Sequence, residues 1–161
     1  MLGADDTWPP ERVVALFDGD ESGVNRPRRQ LWYDFGVVEF FWNRTKTGRS
    51  WSGTHFSVQA HRLAHDVAPA AAITRRYGPF AGAVTFAALS AELDRRAVAL
   101  VARPVVHEDL REYWHPTSCT SVFVIEGSYY GRPGDVYRVA SPVFTTPESR
   151  ESARYRRRAN D

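Results

Sequence analysis

Apolar and polar side chains alternate most strictly just after the first third of the chain. Phe56, Val58 and Ala60 fall on one side of an extended backbone, and His55, Ser57, Gln59 and His61 fall on the other. A period of two predicts a strand with one packed face and one that is wet or engages a partner. Two β-rich runs precede it, Gln30 to Asp34 and Val37 to Trp42, around the hairpin punctuation Phe35-Gly36. The polar stretch NRTKTGRSWSG, Asn43 to Gly53, reads as the loop into the third strand. Helical spacing occurs twice. The first helix is expected from about Pro9 to Phe17, with prolines in the first turn, where a missing N–H does no harm. The second is expected from Phe86 to Leu100, where Phe86, Leu89, Leu93, Ala97 and Leu100 share a face and Glu92, Asp94, Arg95 and Arg96 face out. Thr85 is its N-cap, and Pro104 bars continuation much beyond Val101. Residues 65–82 have no firm period. Three further strands follow, Arg111 to His115, Ser121 to Glu126 and Val136 to Phe144.

The two halves share a cadence. Trp32-Tyr33 answers Tyr113-Trp114, Val38-Glu39-Phe40 answers Ser121-Val122-Phe123, and Phe56-Ser57-Val58 answers Val136-Tyr137-Arg138-Val139. The expected fold class is α+β, an antiparallel sheet with two main helices arranged as two related helix-plus-sheet units. Residues 1–66 form the first unit, 67–84 a connector, 85–147 the second unit and 148–161 a basic tail.

Composition narrows the class. A chain of 161 residues with 43% hydrophobic and 25% charged residues suits one domain-sized globule. No apolar run approaches the roughly 20 residues of a membrane helix. The opening MLGADDTWPPER lacks a basic segment followed by an apolar core, so a cytoplasmic location is expected. The lone cysteine, Cys119, excludes an internal disulfide and reads as a half-buried small side chain beside a strand. Net charge is +2, carried almost wholly by arginine, with Lys46 the single lysine. Arginine favours planar, bidentate contacts, so the surface suits an acidic or polar partner. The run Arg150 to Arg158 reads as a solvated tail, because phosphate binding needs a broader basic face.

Candidate chemistry is sparse. His55, His61, His65 and Asp66 cluster in sequence, but on a strand His55 and His61 would stand about 20 Å apart, too far to share an ion. His61 and His65 have i, i+4 spacing without the intervening glutamate of a zinc-protease motif. The acidic loop Asp18-Gly19-Asp20-Glu21 lacks calcium-loop spacing. Neither a catalytic residue nor a metal or other cofactor is expected. Aromatics are the stronger lead, at 13% of the chain with five tryptophans. Alternation cannot bury Trp32, Tyr33, Phe40, Phe41 and Trp42 on one side, so some must emerge on the second face or lie under a helix. Trp51 and the pair Tyr129-Tyr130 are the expected exposed anchors. Together with the outward positions they give a partner-binding set of Trp51, His55, Gln59, His61, Tyr129 and Tyr130.

The segments LFDGDESG, RRQLWYDFGVVEFFW, GTHFSVQAHRL, FAALSAELDRRAVAL and REYWHPTSCTSVFVI give the chain a cadence that resembles small actinobacterial immunity-type proteins accompanying polymorphic toxins. The resemblance implies a cytoplasmic protein without an active site that occludes a toxin domain. The near-neutral charge departs from the acidity expected opposite a basic nuclease. In plan, the chain is also similar to the duplicated helix-plus-sheet design of a streptomycete β-lactamase inhibitor, whose secretion signal and disulfides it lacks. Two other classes remain open: an enzyme built on His55, His61 and His65, with or without a metal, and a nucleic-acid-binding accessory protein. Exposed aromatics would serve a homodimer equally well.

Overall fold

Alternating runs become strands because each presents one apolar row that must be covered. The computed structural model describes residues 2–19, 23–25, 29–44, 48–65, 67–80, 82–104 and 107–143. Helix α1 (Pro10–Leu16) precedes strands β1 (Gly23–Asn25), β2 (Gln30–Asp34), β3 (Val38–Asn43) and β4 (Ser52–Val58). A 3-10 turn (Ala60–His65) and helices α2 (Ala71–Tyr77) and α3 (Phe86–Arg95) lead to β5 (Val101–Ala102), β6 (Leu110–His115), β7 (Thr120–Ile125) and β8 (Val136–Ser141). All eight strands join one antiparallel sheet in the order β1-β2-β3-β4-β8-β7-β6-β5. Each half is therefore a four-stranded meander, and the halves meet where Ser57 of β4 pairs with Ala140 of β8. The α+β reading, with an antiparallel sheet, matches this architecture.

The helices cover one face of the sheet. In the first half, Leu31, Tyr33, Val38, Phe40 and Trp42 pack with Val13, Phe17 and the α2 residue Ile73. Phe17 stacks on Phe35 with ring centroids 4.0 Å apart. Phe17, Phe35, Phe40 and Trp42 are at most 2% exposed, and burying each such side chain contributes about 1.5–3 kcal/mol. In the second half, Phe86 and Leu89 of α3 pack with Val122, Val124 and Val136, and Phe86 stacks on Tyr113 at 4.2 Å. Two glycines permit close chain crossings. Gly36, at φ +81°, makes the β2–β3 turn, and a Cβ there would collide with the Ala68 carbonyl; its N–H donates to Asp34 Oδ1. At Gly53 a Cβ would collide with the Asp6 carbonyl.

Several boundaries differ from the sequence expectation. Strand β4 stops at Val58 and His61 lies in the 3-10 turn, so alternation past Gln59 does not mark a strand. The Gln59 N–H still donates to the Val37 carbonyl. Thr85 caps α3 as expected, accepting from the Ala88 N–H, but the helix ends at Arg95 and Ala97 adopts φ +54°. Leu100 reaches the second core from extended chain ahead of β5. Residues 65–82, expected to be aperiodic, contain α2, whose seven residues bury only Ile73 and so show no repeating stripe. Short β1 and β5 carry too few residues for a period. Cys119 is buried at φ +52° in the β6–β7 turn. Asp20, Glu21, Lys46, Asp66, Phe144 and the basic run Arg150 to Arg158 lie outside the described residues.

Candidate functional site

Register carries one row of side chains across the second face. Asp34, Glu39, Ser57, Ala140, Ser121 and Trp114 pair successively from β2 to β6 and therefore point the same way. Trp32, Phe41 and His55 form the adjoining row in the first half, while Arg138, Phe123 and Glu112 form its counterpart in the second. The helices are committed to the opposite face, and among the described residues no α-helix lies over this one.

Carboxylates on the face are held within the fold. Arg62, from the 3-10 turn, donates to both Asp34 carboxylate oxygens at 3.0 and 2.9 Å, to the Gly36 carbonyl at 2.7 Å and to Glu39 Oε1 at 2.6 Å. The other Glu39 oxygen accepts from Gln59 Nε2, which also donates to Ser57 Oγ at 2.9 Å. Burial opposes the Arg62 charge, yet Glu39 and Asp34 leave its pKa raised. In the second half, Glu112 accepts from Ser121 Oγ and lies 3.6 Å from Arg103. These groups are mutually satisfied, as buried charges must be.

The aromatic positions repeat one device in both halves. A β-bulge follows Phe41, leaving Thr54 unpaired beside His55, and another follows Phe123, leaving Tyr137 unpaired beside Arg138. His55 stacks on Phe41 with centroids 4.3 Å apart and planes 9° apart. The Arg138 guanidinium carbon sits 4.5 Å from the Phe123 ring centroid. The first bulge re-aims Thr54 into a pocket of about 260 Å³, which it lines with Gln30, Trp32, Phe41, Asn43 and His55. The Thr54 hydroxyl donates to the Phe41 carbonyl at 3.1 Å, so at 3.2 Å from His55 Nδ1 it must accept. That assigns the neutral imidazole its proton on Nδ1 and leaves Nε2 as an acceptor. Burial lowers the His55 pKa, and the positive charge of nearby Arg138 lowers it further. Two shielded donors, Trp32 Nε1 and Arg138 Nε, have no hydrogen-bond partner among the described residues.

The expected contact residues do not converge. His55 lies on this face. Gln59 lies there too but is 6% exposed and bonded to Glu39, so its amide supports the carboxylate. Trp51 is half-buried against the first core, with the Arg44 guanidinium 4.6 Å from its ring centroid. His61 stacks on Tyr137 at 4.3 Å, and its Nδ1 lies 3.0 Å from the Tyr137 carbonyl. Tyr130 packs on Tyr137 at 4.9 Å, and Tyr129, 80% exposed, packs on Tyr130. His61, Tyr129 and Tyr130 thus form a second aromatic group around Tyr137, while His65 is exposed on the 3-10 turn. Trp32, Phe41, Phe123 and Arg138 stand outside the expected contact set. Alternation with their core-facing neighbours was the available signal for the first three, and nothing in the sequence distinguished Arg138 from the other arginines.

Among the described residues, no three His, Cys, Asp or Glu side chains gather as metal ligands, and no helix is long and apolar enough to cross a membrane. No protein family, curated protein or solved structure matches the chain.

Proposed function

We propose that this chain is a non-catalytic binding protein, an immunity-type protein that occludes a toxin domain with the helix-free face of its sheet. One observation carries the reading: an antiparallel sheet face bears half-buried Trp32, Phe41, Phe123 and Arg138 with no helix over them among the described residues, and two of its shielded donors lack acceptors. A sheet face of this composition belongs against another surface, because aromatics and arginine supply binding energy once water is excluded. The pairing of Asp34 and Glu39 with Arg62, and of Glu112 with Ser121 and Arg103, supports a structural role for these carboxylates over proton transfer. Occlusion requires shape and a rigid platform, which the eight-stranded sheet supplies.

The test is co-expression with each protein encoded beside this gene. One neighbour should be toxic alone, be neutralised by this chain and co-purify with it. Phe41→Glu combined with Phe123→Glu should abolish both effects while the protein stays folded. Absence of a neutralised neighbour, or a complex indifferent to both substitutions, would count against the proposal.

A further inference from the structure

The arginines of the helix-free face divide into two kinds. Arg62 has Asp34 and Glu39, and Arg103 has Glu112. Arg138 has an aromatic ring beneath it and, among the described residues, no carboxylate. Its Nε is shielded from water and unbonded among the described residues, while the residue as a whole is half-buried and has no ion pair there. His55 shares the face on the far side of the Ser57–Ala140 pair, with its Nδ1 directed at Thr54. In the first half, a pocket on the same face is lined by Trp32, Phe41 and Asn43.

We infer that the helix-free face binds an acidic protein segment, with an Asp or Glu carboxylate of the partner on the Arg138 guanidinium. This rests on the reading of the face as a partner-binding surface and adds the chemistry of the occupant. A carboxylate matches both planar donor edges of a guanidinium, and Phe123 fixes the plane in which they are presented. The face supplies counter-ions to its other arginines and withholds one here, which makes the surplus positive charge local. Phe123 lies against the guanidinium and shields one side of the carboxylate position from water, strengthening the charge-assisted contact.

A random-peptide display selection on the intact protein tests this. Peptides enriched on the wild type should carry Asp or Glu and should lose about 10- to 100-fold in affinity with Arg138→Gln, the loss expected for a charge-assisted hydrogen bond. Phe41→Ala should also weaken them, whereas Arg75→Gln, at an exposed arginine paired with Asp18, should not. Peptides that need Phe41 but contain no acid, or that bind Arg138→Gln equally well, would overturn the acidic segment and leave the binding face intact. No enrichment, or peptides indifferent to both Phe41 and Arg138, would overturn the two together. Circular dichroism of each variant guards against loss of folding as the cause.

Discussion

His55 lies flat on Phe41, its ring centroid 4.3 Å from that of its cross-strand neighbour. The pairing of Arg138 with Phe123 reproduces this placement across the junction of β4 with β8, each pair beside a β-bulge. In both halves an aromatic ring fixes a nitrogen-bearing group on the side of the sheet that the helices leave open. Four consequences can be measured.

Acid should weaken the fold through His55. Burial, with Arg138 adding to it, holds its folded pKa below the unfolded value of about 6.5. The unfolded chain therefore binds more protons in the interval between the two values. Stability present above pH 6.5 is lost as pH falls through the folded pKa. His61 acts in the same direction, chiefly through burial, with its Tyr137 backbone bond opposing the shift. Urea midpoints at pH 7.5 and 5.5 should differ less in His55→Gln than in the wild type, and less again when His61→Gln is added. An unchanged pH difference in the double variant would contradict the assignment.

Arg62 and Arg138 should respond in opposite ways to the same substitution. Arg62→Met removes the ion pairs to Asp34 and Glu39, whose side chains are 16% and 9% exposed, a loss of about 2–4 kcal/mol. Arg138→Met removes a buried Nε–H that has no acceptor among the described residues, along with its cation–π contact, terms of about 1 kcal/mol each and opposite sign. Equilibrium unfolding should show a large fall for the first and a change within about 1 kcal/mol for the second.

Gly53→Ala should cost more than Gly82→Ala. A methyl at Gly53 meets the Asp6 backbone, which cannot move without displacing the segment that carries Trp8, whose carbonyl accepts from Trp42 Nε1 at 2.8 Å. Overpacking of this kind costs about 1–3 kcal/mol or more. At Gly82 an added methyl meets only the Leu63 carbonyl oxygen, at an ordinary 3.7 Å, and should change stability by less than about 1 kcal/mol. Thermal melts of the two variants compare these directly.

Much of the sheet was legible because its signals are local. The strict alternation through β4, the Phe35-Gly36 turn and the Thr85 cap each depend on a few adjacent residues. Crowding of Trp32, Tyr33, Phe40, Phe41 and Trp42 foretold that the aromatics would divide between faces, and Trp32 and Phe41 did emerge opposite Tyr33, Phe40 and Trp42. Helix α2 was hidden because one buried side chain makes no stripe, and β1 and β5 because two or three residues make no period. The site was less legible, since its members meet only through the order in which strands associate. Pairing of β4 with β8 puts His55 and Arg138 on one face, and the two β-bulges set which neighbours share it. Trp51 and Gln59 illustrate the converse: a polar neighbourhood and an outward register suggested exposure, while Arg44 and Glu39 claimed them for the fold.

Site-specific photo-crosslinking in the native cell tests the binding face most directly. A benzoylphenylalanine replaces Gln30 or Phe123 on the open face, with Tyr77 or Phe80, exposed side chains from outside the sheet, as controls. A single heterologous protein crosslinked from Gln30 and Phe123 but not from Tyr77 or Phe80 is the predicted result. Crosslinks from the control positions alone, or none from the sheet face, would contradict it.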